Sequence, residues 1–456
     1  MLKENSINNI ACSQSSDLDI SCVVNEHLCL SCGACFAVCG HGSISYRETV
    51  GGYLFPKINT EICTHCGLCY KVCPGVHFGK SLTSMIPDDP FVGDIISCHV
   101  GKAVNERIFQ NSQSGGVATA LLVHLLATGQ ISAAIVASMQ NSTPPRGEVL
   151  VARNVNDLMA AQKSKYVPIP LLSAISSIKE TMGPVAFVGL PCHVHGLYNI
   201  LDLYPKLEQK FFIKIGLICD RVLTNAAVDF LGRKATSQPI KNLIFRDKQR
   251  PSYPGNVVVE SESGERIVLD ASLRIAIKDY FTPSRCRLCF DKLNVFADVV
   301  LGDPHGLKGV DRKRGETLIF TRTRQGEELI SEVVGTGFVV ARPVDKQAAV
   351  KGQLIDKKRL QWSGYVQAWS MQDRTLPAYC EMVLKCTGEQ KVSLRKYEAD
   401  LQYSMGLDNY TSRSAVLSSV NRLLLKRRIM TTLRKFYIRP KKDVSKIKRL
   451  IRGIYK

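Results

Sequence analysis

The 456-residue sequence contains no run of about 18 consecutive apolar residues, the length that a membrane-spanning helix needs. Its first residues, MLKENSINNIACSQSSDLD, have no apolar core of the kind found in secretory signals. Acidic residues are scarce at the other end, where residues 421–456 hold fourteen Lys or Arg and one acid, Asp443. These absences predict a cytoplasmic protein rather than a secreted or membrane-spanning one.

The positive charge is concentrated in the basic tail, residues 421–456. The chain has a formal net charge of +20, and the tail carries most of it, so the rest resembles an ordinary enzyme and not a nucleic-acid binder. The tail interleaves Leu, Ile, Phe and Tyr with Lys and Arg. We expect it to lie peripherally on the anionic inner face of a membrane, with an acidic partner protein as the alternative.

The 17 cysteines are numerous for a cytoplasmic chain, and eight of them form a doubled pattern. C-x2-C-x2-C-x3-C occurs at residues 29–39 and again at 63–74, the second time with a trailing proline. This spacing is typical of ferredoxins with two 4Fe–4S clusters, in which the fourth cysteine of each run binds the other cluster. Zinc is the alternative, but zinc sites usually combine two CxxC pairs. We therefore predict a first cysteine set of Cys29, Cys32, Cys35 and Cys73, and a second cysteine set of Cys63, Cys66, Cys69 and Cys39.

The remaining sequence predicts an α/β domain after this small ferredoxin-like domain. Apolar runs at 132–138, 185–189, 211–218, 297–301 and 317–323 alternate with helical patterns, which favours a largely parallel or mixed sheet. The predicted organisation is a disordered segment 1–22, the dicluster domain 23–80, a linker 81–94, the α/β domain 95–360 and a helical C-terminal extension 361–456 that ends in the basic tail.

Polar residues and cysteines follow three of the predicted strands, where ligands of open parallel sheets gather. Cys192, Cys219 and Asp303 each come just after a strand, and CRLC at 286–289 adds two more cysteines. We predict a third cysteine set of Cys192, Cys219, Cys286 and Cys289, enough for a third 4Fe–4S cluster. The alternative is two buried free cysteines and an unpaired CxxC knuckle.

Two further patterns suggest binding or catalysis. NSQSGGVATALL begins a buried helix whose free N–H groups suit a phosphate or pyrophosphate. The alternative is that Ser112 and Ser114 simply cap this helix. Lys165 stands beside an aromatic residue and could contact an anion or remain a solvated lysine. His193 directly follows Cys192 and is a candidate acid–base group, with a structural histidine as the alternative.

The chain carries a set of motifs in a fixed order: the two cysteine runs, NSQSGGVATALL, KSKYVP, GLPCH, GLICD, CRLCFD and ADVVLGDPHG. Through these motifs the chain resembles the family of beta subunits of coenzyme F420 hydrogenases and dehydrogenases. The resemblance spans about residues 25–355 and implies an FAD in the α/β domain beside an iron–sulfur centre. The resemblance also strengthens the prediction of a third cluster. It implies the following candidate flavin contacts: Ser112, Ser114, Gly115, Gly116 and Lys165. His193 stands where the family often has glutamine, and His305 interrupts the Gly-Asp-x-x-Gly turn.

The resemblance implies an FAD- and iron–sulfur-dependent oxidoreductase. Its electrons would pass between the clusters and FAD to reduce or oxidise an organic substrate or a deazaflavin-like cofactor, with His193 and Asp303 as catalytic candidates. A reductive step in cell-surface polysaccharide biosynthesis is the narrower expectation. The alternatives are a non-catalytic electron-transfer subunit and a zinc-stabilised interaction protein. The expected partners are a small-molecule substrate and an electron donor such as a reduced ferredoxin or a partner redox subunit.

Overall fold

The computed structural model describes residues 18–178, 183–248, 255–388 and 392–409, together with 414, 415, 417–422, 425, 426 and 429. Most of the basic tail and of the segment predicted to be disordered therefore lies outside the described residues. Within them, no helix is both long enough and apolar enough to cross a bilayer.

The N-terminal part is built from short elements around the two cysteine runs. α1 begins directly after Asp19, whose carboxylate caps it by accepting from the Ser21 N–H at 2.7 Å. α2 and α3 each follow a glycine with a positive φ, Gly33 and Gly67, so the doubled sequence pattern folds into two similar turns. The elements are α1 (Ile20–Asn25), α2 (Ala34–Val38), β1 (Ile44–Glu48), β2 (Leu54–Ile58), α3 (Leu68–Lys71) and α4 (Lys80–Ser84).

An eight-stranded mixed sheet forms the centre of the molecule. Its strands lie in the order β13 (Val339–Pro343), β3 (Ser97–Ala103), β12 (Thr317–Thr321), β11 (Val299–Gly302), β7 (Phe211–Leu217), β6 (Val185–Gly189), β4 (Ala133–Met139) and β5 (Gly147–Ala152). β4, β6, β7 and β11 are mutually parallel, and the outer strands are antiparallel. The elements that build it are β3 (Ser97–Ala103), α5 (Glu106–Asn111), α6 (Val117–Ala127), β4 (Ala133–Met139), β5 (Gly147–Ala152), α7 (Val155–Ala160), α8 (Ile175–Ile178), β6 (Val185–Gly189), α9 (Pro191–Leu203) and β7 (Phe211–Leu217).

The second half of the chain completes this sheet and adds a smaller one. β8, β9 and β10 form a separate three-stranded antiparallel sheet that the sequence patterns did not predict. The elements are α10 (Ala226–Ala235), β8 (Ile240–Asp247), β9 (Asn256–Ser261), β10 (Arg266–Leu269), α11 (Ala271–Ile277), α12 (Ser284–Arg287), β11 (Val299–Gly302), β12 (Thr317–Thr321), α13 (Arg324–Gly335) and β13 (Val339–Pro343).

Both faces of the large sheet are covered, as the apolar strands predict. Side chains alternate along β4: Ala134 and Val136 join a core with α6 and α13, whereas Ala133 and Ile135 join a second core on the opposite face. That second core also contains α9 and apolar residues of the dicluster part. The dicluster part therefore packs on one face of the sheet and shares its core.

Helices near the C-terminus enclose the same face. Trp362 and Trp369 of α15 are fully buried, and the indole N–H of Trp362 donates to the Leu288 carbonyl at 3.0 Å. α15 thus closes over the loop that carries the CRLC cysteines. The elements are α14 (Lys346–Gly352), α15 (Ile355–Ser370), α16 (Tyr379–Thr387) and α17 (Arg395–Met405).

Arg146 links the dicluster part to the α/β part, and its loss should destabilise the protein. It pairs with both carboxylate oxygens of Glu48 at 2.7 Å and with Asp229 at 3.0 Å, and its side chain is only 20% exposed. We expect Arg146→Ala to cost about 1–3 kcal/mol of unfolding free energy, because both acids lose a partly desolvated partner. Urea unfolding followed by circular dichroism measures this.

The matched control is Arg324→Ala, which removes an exposed pair with Glu328 inside one helix. It should change the unfolding free energy by less than about 0.5 kcal/mol. Equal effects of the two substitutions would contradict a linking role for Arg146.

Candidate functional site

The first cysteine set is buried between the dicluster loops. Cys32, Cys35 and Cys73 are at most 7% exposed. Burial raises the pKa of Cys35 well above its usual range, and neighbouring Cys29, Cys32, Cys73 and Cys69 raise it further. Burial likewise raises the pKa of Cys29 to about 12 and that of Cys32 to about 11. Thiols in this arrangement ionise only beside a strongly positive group such as an iron–sulfur core.

The second cysteine set lies nearer the surface. Cys66 is exposed, whereas Cys39, Cys63 and Cys69 are half-buried. Burial raises the pKa of Cys69 to about 11, with Cys66 as a neighbouring thiol that also raises it. Cys39 lies 3.1 Å from the Ser43 hydroxyl and accepts from the Ser43 N–H at 3.3 Å. The structure thus brings Cys66 and Cys69 together and engages Cys39 with Ser43.

The third cysteine set collects at the carboxyl edge of the parallel strands. Cys192 follows β6 in the first turn of α9, Cys219 follows β7, and Cys286 and Cys289 come from α12 and the loop after it. Burial raises the pKa of Cys192, and Cys32, Cys219, Cys286 and Cys289 raise it further. The four cysteines are therefore neighbours, and Cys32 connects them to the first set.

Zinc and an iron–sulfur cube make different demands on such a site. Among the described residues, no three His, Cys, Asp or Glu side chains converge closely enough to hold a single metal ion. A cube several ångströms across holds its thiolates farther apart than one ion does.

Three buried polar groups near the first and third sets have no hydrogen-bond partner: the Tyr46 hydroxyl, the Thr224 hydroxyl and the Arg285 Nη1. Burial raises the pKa of Tyr46, and the first-set cysteines Cys35, Cys32 and Cys29 raise it further. Thr224 lines a small cavity together with Cys29 and Cys286. Unpaired buried donors are rare, and sulfur atoms of a bound cluster are acceptors that would satisfy them. The residues therefore fit such a group.

His193 has both ring nitrogens engaged by the backbone. Its Nδ1 accepts from the Leu190 N–H at 3.2 Å, and its Nε2–H donates to the Ile169 carbonyl at 3.1 Å. Burial lowers its pKa to about 4, so the ring is neutral near pH 7. The predicted acid–base role has no free nitrogen to use in this arrangement.

His195, for which the sequence patterns predict no role, forms a buried pair with Asp291. Its Nε2 lies 2.9 Å from the carboxylate, which also accepts from the Val295 N–H. Asp291 is two residues beyond Cys289, so this pair ties α9 to the CRLC loop.

Asp303 lies at the same sheet edge, paired with a basic residue. Its carboxylate contacts the Arg246 guanidinium at 2.8 Å, and the ring of His305 is 3.9 Å away. Arg246 also donates to the Tyr166 hydroxyl at 3.3 Å. Arg246 lies near the end of β8, in the small sheet that the patterns missed, so no sequence signal placed it beside Asp303.

The predicted serine–glycine segment contacts a lysine rather than capping its helix. α6 begins after Gly116, and Ser112 and Ser114 lie around the ammonium of Lys248, which donates to the Ser112 hydroxyl at 3.1 Å and to the Ser114 carbonyl at 2.5 Å. Gly115 packs against strands: a Cβ there would lie 2.4 Å from the Gly101 carbonyl oxygen. The expectation that both serines cap the helix is corrected, because their hydroxyls donate to backbone carbonyls.

Two lysines near this segment have lowered pKa values. Burial lowers the pKa of Lys248 to about 8, with Arg314 adding to the effect. Burial lowers that of Lys165 to about 7, and Lys165 donates to the carbonyls of Ala161 and Gln162 at the end of α7. Lys248 was missed because its partners are more than 130 residues away. An anion at this place would favour its charged form.

Comparisons with known proteins agree with this architecture. Residues 28–75 match a model of the 4Fe–4S dicluster domain. Residues 98–176 and 182–347 match models described as the N-terminal and C-terminal parts of the coenzyme F420 hydrogenase/dehydrogenase beta subunit. The two family matches and the dicluster match are those of an iron–sulfur subunit of the oxidoreductase class. The chain belongs to the family of coenzyme F420 hydrogenase/dehydrogenase beta subunits.

The names of three similar proteins refer to coenzyme F420. The coenzyme F420 hydrogenase subunit beta of Methanosarcina barkeri is 25% identical, over 57% of this chain and 86% of that protein. A subunit of the F(420)H(2) dehydrogenase of Methanosarcina mazei is 24% identical, over 74% of this chain and 91% of that protein. The coenzyme F420-dependent sulfite reductase of Methanocaldococcus jannaschii is 28% identical, over 68% of this chain and 47% of that protein.

A chain of the F420-reducing NiFe hydrogenase complex from Methanosarcina barkeri is similar in structure, with a TM-score of 0.47 and 22% identity over 59% of this chain and 92% of that one.

His193→Gln should preserve the stability of the protein, whereas His193→Leu should reduce it. Glutamine can still donate to the Ile169 carbonyl, but leucine leaves this carbonyl and the Leu190 N–H unpaired in the interior. We expect the leucine variant to lose about 1–3 kcal/mol of unfolding free energy. Thermal unfolding of both variants, prepared with full iron content, measures the difference. Loss of substrate turnover in a fully stable glutamine variant would instead support the acid–base role.

Proposed function

We propose that this chain is an iron–sulfur flavoprotein subunit that connects a one-electron partner at its surface to an organic substrate, or a deazaflavin-like cofactor, at the sheet edge. The observation that carries the proposal is the order of the cysteine sets. Coupled thiols run from exposed Cys66 through Cys69 and Cys35 to Cys32, which neighbours Cys192 at the strand ends. Such an order suits transfer between surface and interior.

In this proposal each cysteine set holds one 4Fe–4S cluster, and an FAD occupies the α/β domain. Clusters exchange single electrons, and a flavin supplies conversion to hydride transfer when bound. The cysteines would hold the clusters. Burial of the first and third sets would keep water from them, whereas the second set would stay accessible from the surface. A reduced ferredoxin or a partner redox subunit would dock there.

The flavin contacts that we propose centre on Lys248. Ser112 and Ser114 hold its ammonium from one side, and the centre of the Phe109 ring lies 3.9 Å away from it. The predicted contacts Ser112, Ser114, Gly115 and Gly116 would then act by shaping the segment around this cation. Lys165 would add positive charge at the end of α7. A phosphate is the natural partner of such a buried ammonium.

We propose that the substrate-binding and catalytic residues are Asp303, Arg246 and His305, at the carboxyl edge of the sheet. Asp303 orients the Arg246 guanidinium, which can bind an anionic or carbonyl group. The His305 side chain is 58% exposed, so its Nε2 can exchange a proton with solvent. His193 would only position the turn that carries Cys192.

The second candidate function is a non-catalytic electron-transfer subunit. It is favoured by the names of relatives, which describe subunits of F420 hydrogenases and of an F(420)H(2) dehydrogenase. Turnover of an organic substrate or of F420 by the isolated chain would distinguish the two. The polysaccharide role and the membrane-binding tail stay predictions from the sequence.

Cys192→Ala should remove one cluster and leave the other two. We expect iron to fall from about twelve to about eight atoms per chain, because a cube loses one of its four thiolates. Anaerobic iron, sulfide and flavin quantification on the full chain tests this. The control is Cys98→Ala, which replaces a buried cysteine of β3 outside the three sets and should leave iron unchanged. Unchanged iron in Cys192→Ala would refute the third cluster.

Lys248→Gln should weaken FAD binding, and wild-type binding should weaken above about pH 8. The lowered pKa means that Lys248 loses its proton near pH 8, and its attraction for a phosphate disappears as pH rises through this range. We expect roughly ten- to a hundredfold lower affinity for Lys248→Gln at pH 7 and a flatter pH profile. Flavin fluorescence titration measures both.

Lys165→Gln is the comparison for this test. A larger loss of FAD affinity in Lys165→Gln than in Lys248→Gln would return the main flavin contact to Lys165. Unaltered affinity in both would remove the flavin from this segment.

A further inference from the structure

Arg285 is a buried cation located between two cysteine sets. It is 1% exposed and immediately precedes Cys286 of the third set. Its guanidinium donates to the Gly75 carbonyl at 3.0 Å and to the Pro74 carbonyl at 3.3 Å, the two residues that follow Cys73 of the first set. One side chain therefore bridges backbone segments that carry ligands of both proposed clusters.

The charge of Arg285 has no acidic counterion among the described residues, although its guanidinium lies 5.5 Å from the centre of the Tyr379 ring. None of their Asp or Glu side chains forms an ion pair with it, and its Nη1 has no hydrogen-bond partner. A buried charge without a counterion is strongly destabilising. The cost falls if a negative group lies beside it. A cluster core with its four thiolates supplies that group. The cluster and thiolates together carry a net negative charge, which becomes more negative by one on reduction.

The electrostatic neighbours of Arg285 are cysteines of both sets. Its positive charge lowers the pKa of Cys29, Cys32 and Cys73, and also of Cys286 and Cys289, although burial outweighs it and keeps these pKa values high. The charge of Arg285 therefore acts on both cysteine sets, in agreement with its hydrogen bonds to the Pro74 and Gly75 carbonyls beside Cys73. The same charge would favour the reduced form of either cluster.

We propose that Arg285 contacts the clusters of the first and third sets and raises the reduction potentials of both, through its buried charge and its free Nη1 donor. This inference rests on the proposed function, because it assumes that these cysteines hold clusters. In this proposal one residue acts on the reduction potentials of two neighbouring clusters. Hydrogen bonds and nearby charge are known determinants of cluster potential.

The experiment is an anaerobic redox titration of the full chain, followed by electron paramagnetic resonance, with Arg285→Gln compared to wild type. We expect two of the three midpoint potentials to become more negative, and the third, that of the surface second set, to stay unchanged. Iron and sulfide are quantified in each sample. Full iron with wild-type potentials in Arg285→Gln would overturn the proposal.

Arg287→Gln is the matched control, since Arg287 lies in the same short helix and is 4% exposed. It donates to the Ser404 hydroxyl, the Tyr365 hydroxyl and the Asp279 carbonyl, and it lies 3.6 Å from Asp400. Its charge is thus used by the C-terminal helices. Arg287→Gln should lower thermal stability and leave all three potentials unchanged; equal shifts in both variants would contradict a specific role for Arg285.

Arg285→Lys keeps the test decisive if Arg285→Gln does not retain its clusters. Lysine preserves the charge but removes the free Nη1 donor, so the same two potentials should fall by less than in the glutamine variant. Wild-type potentials in a fully loaded Arg285→Lys protein would support the charge and overturn the contribution of the Nη1 donor, and potentials above those of the wild type would overturn the proposal. The wild-type iron count is read separately: about eight atoms per chain would refute the third cluster of the proposed function, without deciding whether Arg285 affects the first.

Discussion

The burial of two neighbouring sets of cysteines, which repel one another once they are ionised, is the constraint on which the rest of this structure depends. The first and third cysteine sets lie in the interior, where burial alone raises thiol pKa values, and Cys32 and Cys192 bring the two sets side by side. As thiolates, these cysteines are stable there only with compensating positive charge. The central sheet, the dicluster loops and the C-terminal helices all meet around this place.

The parts of the fold that could be predicted depend on local sequence. The cysteine runs show their spacing directly, and β6, β7 and β11 follow from continuous apolar runs that end at Cys192, Cys219 and Asp303. The rule that parallel strands end at one edge was enough to bring these residues together. β12 runs opposite to these strands, however, and its antiparallel pairing with β3 joins segments more than 200 positions apart, so no short-range pattern predicts it.

What could not be predicted comes from contacts between distant segments. Lys248 meets Ser112 and Ser114, and Arg285 meets Pro74 and Gly75, across 134 to 211 positions. In the sequence each of these cations is an ordinary basic residue, and most such residues lie on the surface. Similarly, the backbone bonds of His193 are invisible until Ile169 is placed beside it.

The helices beyond the matched family region are part of this centre, because they supply both cover and charge. α15 buries Trp362 over the CRLC loop, and it also contributes Lys358, only 8% exposed, whose charge lowers the pKa values of Cys219, Cys286 and Cys289 against the larger effect of burial. Cations from separate segments thus surround the third set. If the third set holds the proposed cluster, buried cations and buried thiolates depend on one another, and folding of these helices and binding of that cluster stabilise one another.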